Sequence, residues 1–346
     1  MPTTTSTWPL AQKATGSAKR VLRKLAGTRI GQQAAKSLRE GNSAAELDEW
    51  IVPLFGEELS RIDAAVKDAG PEGYAEFRDL DDDLWSLLLT LEYSAYPGIR
   101  GFLPDLPEPA LQQMWNGTSG PTLAAQSVCF YRKLKEMQAT YGSGPLESTR
   151  ILDFGCGWGR LTRMLAKDLE PGLLYGCDPV DDILNVSRTT GVPAELTRSE
   201  FLPEELPFEE KFDVVFSFSV FTHISEAAHK ASLKAIHDGL KPGGLFVVTI
   251  RPPAYIDLNP LMQPAVDRLG PDRLKVLRDP QYVFVPHETD GHPQYDDAAD
   301  DPMSYGEAVI TLPYVREQWG SMFDLLDVSV LTGDMYQVAL TLRKTS

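Results

Sequence analysis

The sequence predicts an α/β fold built on a parallel sheet. Short apolar runs of strand length recur at 151–154, 173–178, 212–218 and 245–250. Stretches of helical pattern alternate with them, at 161–169 and 226–239. A glycine-rich loop follows the first of the runs, where a strand would turn into a helix. Strands that alternate with helices imply parallel pairing and a sheet covered on both faces.

The elements follow in chain order. Residues 44–67 and 73–95 carry apolar side chains at three- and four-residue spacing, as at Leu47, Trp50, Ile51 and Leu54, and predict helices. Pro97, Gly98, Gly101, Pro104, Pro107 and Pro109 break the chain into a loop. A further helix is expected over 122–141, with Leu123, Phe130, Leu134 and Met137 inward. The strand–helix alternation then runs from Arg150 to Ile250, with a turn at Lys241-Pro242-Gly243-Gly244. Residues 252–312 interrupt it with prolines, one helical stretch (261–278) and an acidic loop. A helix at 313–321 and two strands, 323–331 and 336–342, joined at Thr332-Gly333-Asp334, close the chain as an antiparallel hairpin. The expected division is a helical N-terminal cap region, 1–148, and an α/β domain, 149–346. Within the latter, 252–312 form a lid or substrate insertion over the strand C-termini, where open α/β sheets bind ligands.

Composition excludes some functions. The formal net charge is −16. A surface of that sign repels phosphate and argues against a nucleic-acid substrate. No apolar stretch is long enough for a membrane span, and the first residues lack the pattern of a secretory signal. Cys129, Cys156 and Cys177 are odd in number and lack metal-ligand spacing, which fits free thiols in a reducing cytoplasm. Residues 13–39 are basic, with Lys13, Lys19, Arg20, Arg23, Lys24, Arg29, Lys36 and Arg39 and no acid. Two readings compete there: a solvated helix weakened by Gly27 and Gly31, or a surface that touches an anionic membrane or partner. The sequence does not fix an oligomeric state.

The chemistry-bearing motif is Asp153-Phe154-Gly155-Cys156-Gly157-Trp158-Gly159-Arg160. Glycines at alternate positions permit a sharp turn and close backbone approach to a ligand. A dinucleotide site wants a small residue where Arg160 stands. Asp153 precedes the loop, where an ammonium group is welcome and a pyrophosphate is not. Asp178, followed by Pro179, ends the next strand, where a carboxylate can accept two ribose hydroxyls.

On these residues the chain resembles the class I S-adenosylmethionine-dependent methyltransferases. ILDFGCGWGR is similar to the family's cofactor loop, YGCDP to its ribose-binding strand end, and LKPGGLFVVTI to its fifth strand and preceding turn. The resemblance implies a Rossmann-like sheet with a terminal antiparallel hairpin. It implies S-adenosylmethionine as cofactor, with Asp153, Gly155, Cys156, Gly157 and Gly159 at its methionine end and Asp178 and Pro179 at its ribose. Glu200 and Phe201 would flank the adenine, and Phe218 and Ser219 would line the opposite side. It implies a small-molecule acceptor, first a hydroxyl of a sugar or natural-product intermediate. The alternatives are an amine or carboxylate acceptor, or a catalytically silent cofactor-binding partner protein.

A hydroxyl acceptor needs a base, and His223, at the rim after the fourth strand, is the first candidate. The competing reading is a histidine that packs the loop. His229 and His237, on the following helix, are expected to be solvated. Tyr305 and Glu307 either enter the substrate pocket from the insertion or start a strand that packs on it. His287, Asp290 and His292 beside Asp296, Asp297, Asp300 and Asp301 invite a metal reading, but the spacing matches no ordinary site and no metal is expected.

Overall fold

The computed structural model describes residues 44–287 and 305–345. The basic segment 13–39 lies outside them. Nine strands are present among the described residues: β1 (Ile151–Phe154), β2 (Leu174–Asp178), β3 (Glu195–Arg198), β4 (Phe212–Ser217), β5 (Leu240–Ile250), β6 (Tyr282–Pro286), β7 (Gly306–Ile310), β8 (Phe323–Val330) and β9 (Val338–Lys344). Seven form one sheet in the order β3-β2-β1-β4-β5-β9-β8, and β6 pairs with β7 alone. The β1 to β5 pairings are parallel. β9 runs antiparallel to β5, and β8 to β9. The sheet is therefore the Rossmann-like one expected, with its terminal hairpin.

Strand order positions the site. From β1 the chain steps outward to β2 and β3, then returns to β4 on the other side of β1. The connections leave β1 and β4 in opposite directions, so a crevice opens beyond their carboxyl ends. Ligands bind open α/β sheets at such a switch point.

The central strands alternate between two cores, as a period of two requires. Ile151, Val214, Phe216, Leu245 and Val247 face one core. Leu152, Phe154, Val215, Phe246 and Val248 face the other. The first core is shared with helices α1 (Ala44–Val66), α2 (Asp82–Thr90) and α5 (Gly120–Tyr141), through Leu59, Leu88, Phe130 and Leu134. The helices before the sheet thus close one of its faces. Trp85 of α2 donates its indole N–H to the Met164 carbonyl at 2.8 Å. The fully buried Lys167 ammonium reaches the Leu80 carbonyl at 2.5 Å and Asp82 at 3.0 Å.

Residues 255–310 hold a small core of their own, with Tyr255, Ile256, Met262, Ala265, Val283 and Val309. Their helical stretch, expected as one piece, is three short ones (Pro260–Met262, Gln263–Leu269, Arg273–Val276). Gly270, at φ 72°, breaks it. The helix expected over 73–95 is likewise a 3₁₀ turn (Pro71–Phe77) followed by α2. Asp81 caps α2 by accepting the Asp83 and Leu84 N–H groups, which fixes its start. After the glycine loop the chain winds as a 3₁₀ run, Thr162–Lys167, where an α-helix was expected. This winding puts the Thr162 hydroxyl on Asp153.

His229 corrects the sequence reading. It lies in the helix Glu226–Gly239 but is 0 % exposed. Phe221, Tyr282, Tyr314 and Trp319 ring it at centroid distances of 5.0–6.0 Å. The rings of 312–319 and β6 cover a face that helical spacing alone leaves open. His237 is partly covered too, by Phe323 at 5.4 Å.

Burial pushes the His229 imidazole down to about 3 from an ordinary 6.5. At intermediate pH the unfolded chain then binds the extra proton. The contribution to stability is full above the unfolded value and is lost as pH falls toward the folded one, at up to about 1.4 kcal/mol per pH unit. Urea denaturation across this range should show that slope, and His229→Leu should flatten it. An unchanged slope in the variant would assign the acid sensitivity to another group.

Candidate functional site

Gly155, Gly157 and Gly159 follow β1 at φ values of 81°, 55° and 77°, a left-handed region costly for any residue with a Cβ. The three differ in surroundings. A Cβ on Gly155 would lie 2.2 Å from Val220 Cγ2, and one on Gly159 would lie 2.7 Å from Ser187 Oγ and Val192 Cγ2. A Cβ on Gly157 would meet nothing within 4 Å. Two glycines therefore let the loop pack against its neighbours, and the middle one presents bare backbone to open space.

Asp178 holds this loop. One carboxylate oxygen accepts the Gly157 N–H and the other the Val180 N–H, each at 2.9 Å. The β2 carbonyl of Cys177 accepts from Gly155 and Cys156. Burial pushes Asp178 up to about 6, offset in part by the two backbone donors. Asp153 is buried beneath the loop and accepts the Thr162 hydroxyl at 2.6 Å. Burial pushes it up to about 7, against the pull of that hydrogen bond and with the Asp178 charge adding to the rise.

The β4 end forms the facing wall. Phe218 sits edge-on to Phe130 at 4.8 Å, with the buried Arg160 guanidinium 5.0 Å from its ring centroid. Ser219 has φ 63° and is the only non-glycine at positive φ among the described residues. Its N–H donates to the Thr249 hydroxyl at 2.8 Å, which holds the strained backbone in place. Asp153, Gly155, Cys156, Gly157, Gly159, Asp178, Pro179, Phe218 and Ser219 lie at or just beyond the carboxyl ends of the neighbouring strands β1, β2 and β4. Phe201 packs on Trp158, Val180 and Met114 beside them, and Glu200 is exposed.

A second cluster lies on the rim beyond β4 and β5. The β6–β7 hairpin is stitched to the loop after β4: Gly306 N–H donates to the His223 carbonyl at 2.7 Å, and Ala308 N–H to that of Thr222 at 2.9 Å. This brings His223, Tyr305 and Glu307 together. Tyr305 stacks on the His223 ring at 5.2 Å and 10°. Arg251, the residue after β5, is buried and sits 4.2 Å over the Tyr255 ring. Its guanidinium pairs with the Glu307 carboxylate and reaches His223 Nε2 at 2.9 Å. A guanidinium only donates, so His223 Nε2 accepts and its Nδ1–H donates to the Gly306 carbonyl at 2.8 Å. The remaining Glu307 oxygen faces His287 Nε2 at 2.9 Å, and Tyr255 OH donates to the carboxylate at 2.9 Å.

His223, His287 and Glu307 place ligand-type atoms within 4.8 Å of one another. Arg251 contacts the other Glu307 oxygen and His223 Nε2, while His223 Nδ1 and His287 Nε2 lie 3.8 and 2.9 Å from Glu307 Oε1. Of the residues behind the sequence-based metal reading, Asp290, His292, Asp296, Asp297, Asp300 and Asp301 lie outside the described residues. Arg251 and Tyr255 escaped the sequence reading. The available signal was an arginine that closes the apolar strand 245–250 on the ligand side.

Residues 151–244 match the family described as a methyltransferase domain. This segment is similar to the methyltransferase domains of class I S-adenosylmethionine-dependent enzymes. The chain is 33% identical over 111 residues to a ubiquinone biosynthesis O-methyltransferase of Rhizobium etli, a match that covers 31% of this chain and 43% of the relative. It is 30% identical over 106 residues to a carboxy-S-adenosyl-L-methionine synthase of Trichodesmium erythraeum, covering 29% and 42%. The chain therefore spans less than half the length of these curated relatives. Among solved structures, magnesium protoporphyrin IX methyltransferase from Synechocystis aligns with a TM-score of 0.44 at 12% identity, over 78% of this chain and 96% of that one.

The methyltransferase loop yields a stability test. Gly155→Ala should cost about 2–4 kcal/mol, because left-handed strain adds to the Val220 contact. Gly157→Ala should cost about 1–2 kcal/mol, from strain alone. Equal losses in chemical denaturation would show that Val220 yields without cost.

Proposed function

We propose that this chain transfers the methyl group of S-adenosylmethionine to a hydroxyl of a small molecule. The observation that supports this most is the pairing of a bare, open-faced Gly157 backbone with the Asp178 carboxylate at the end of β2. The fit is chemical as well as spatial. The crevice offers unobstructed backbone for a close approach and buried carboxylates for an ammonium group and ribose hydroxyls. Asp153 and the 155–159 loop would hold the methionine end, Asp178 and Pro179 the ribose, Phe201 the adenine side, and Phe218 and Ser219 the facing wall. The sulfonium supplies an activated methyl group. The protein's part is alignment and the exclusion of water.

The 252–312 insertion supports an acceptor site on the β4–β5 rim, since it covers that edge with its own core and delivers Tyr305 and Glu307 there. His223 then positions the rim, with both ring nitrogens engaged. The acidic composition and the absence, among the described residues, of a helix able to cross a membrane favour a small acceptor met in the cytoplasm. Transfer to an amine or a carboxylate is the next reading.

Calorimetry should show S-adenosylmethionine or its demethylated product binding at about micromolar Kd. Preference for NAD would refute the proposal. Asp178→Ala should cost roughly 2–4 kcal/mol of that affinity, through lost ribose acceptors and a loosened Gly157. Ribose hydroxyls bind an ionised carboxylate more strongly than a protonated one, which loses part of its acceptor capacity. Affinity should therefore be full above the Asp178 value of about 6 and fall up to about tenfold per pH unit below it. Asp178→Asn should bind weakly and lose the fall centred near 6, leaving only the dependence set by Asp153 near 7. A wild-type affinity flat through this range would remove Asp178 from the ribose.

A further inference from the structure

We infer that His287, oriented by the buried Glu307, is the general base that takes the acceptor's proton, an assignment that rests on the methyltransferase reading above. Two histidines stand on the rim, and their hydrogen bonds separate them. The His223 lone pair is committed, because Arg251 donates to Nε2 while Nδ1–H is spent on the Gly306 carbonyl. His287 has the opposite arrangement. Its Nε2 meets a Glu307 oxygen at 2.9 Å. A carboxylate accepts, so Nε2 carries the hydrogen and Nδ1 bears the lone pair. The side chain is 21% exposed, whereas Glu307 is 5% exposed. An acceptor can therefore reach the imidazole, while the carboxylate stays shielded behind it.

Glu307 is held for this task. Arg251 and Tyr255 occupy its other side, so the carboxylate is paired and held in place in the interior. A carboxylate behind an imidazole sets its tautomer and stabilises the imidazolium that forms. Burial, and then the Arg251 charge, push His287 below the ordinary imidazole range, which keeps it unprotonated near neutrality. Among the described residues, the charged or titratable groups that face it are Glu307, Arg251, His223 and Tyr305. In the reaction the acceptor oxygen bonds to the methyl carbon and releases its proton to His287 Nδ1. The carbon–sulfur electron pair remains on sulfur, and the products are a methyl ether, a neutral thioether and the imidazolium.

The first test needs no acceptor. The full chain with S-adenosylhomocysteine bound is treated with diethyl pyrocarbonate, and each histidine is read by peptide mass spectrometry. His287 should label about tenfold faster than His223, since only an available lone pair reacts. The second test uses catechol as hydroxyl probe and benzoate as carboxylate probe, with S-adenosylhomocysteine release as the readout. His287→Ala should lower catechol turnover about a hundredfold and remove its acid limb, with donor affinity unchanged. Benzoate turnover should be untouched, because that oxygen is already deprotonated. Glu307→Gln should lower catechol turnover and keep the acid limb. Labelling of His287 no faster than that of His223, full catechol turnover in His287→Ala, or turnover abolished by a chelator would each overturn the assignment. The last would make His223, His287 and Glu307 a metal centre. Failure of the methyltransferase reading would look different, as S-adenosylhomocysteine would not bind at all.

Discussion

The site depends on one carboxylate. Asp178 ends β2 and accepts backbone N–H groups from both the glycine loop and the start of the next connection. Without those bonds the loop after β1 would have no reason to keep Gly157 bare and facing the crevice. The price is a buried acid whose ionisation is opposed by its surroundings. Hydrogen bonds donated to the charged form oppose that effect, as the two backbone N–H groups already do.

The rim is organised by a second buried carboxylate, Glu307, and the two work differently. Asp178 is satisfied by backbone of its own crossover. Glu307 is satisfied by side chains from three segments: Arg251 after β5, Tyr255 in the insertion and His287 after β6. Breaking one of its contacts leaves charge uncompensated in the interior, which is costly. That cost pins the hairpin to the end of the sheet, along with the backbone bonds to Thr222 and His223.

Much of this was legible in the chain. Apolar runs marked β1, β2, β4 and β5, because strands buried on both faces carry their signal at nearly every position, whereas β3, exposed or half-buried throughout, and β6 went unread. The glycine spacing and the acids at 153 and 178 located the crevice for a local reason: each lies within a few residues of a strand end. Other features are non-local, and there the sequence fell short. His229 sits on a helix with an ordinary pattern, and its aromatic cage comes from Phe221, Tyr282, Tyr314 and Trp319. His223, Tyr305 and Glu307 were each picked out singly. That they meet, and meet around Arg251, follows from a hairpin pairing across the 83 positions between His223 and Gly306. The 3₁₀ winding at Thr162–Lys167 comes with a hydroxyl bond to Asp153, which helical propensity does not register.

The insertion leaves and rejoins the sheet at nearly the same point, since Ile310 N–H donates back to the Arg251 carbonyl at 3.4 Å. Its interior packs on itself, while β9 registers against β5 and β8 against β9 through separate contacts. Lengthening or replacing a segment closed in this way adds little entropy cost, because that cost grows only with the logarithm of loop length. Descendants of such a gene can therefore alter this module by recombination or insertion and inherit the parallel half of the sheet intact.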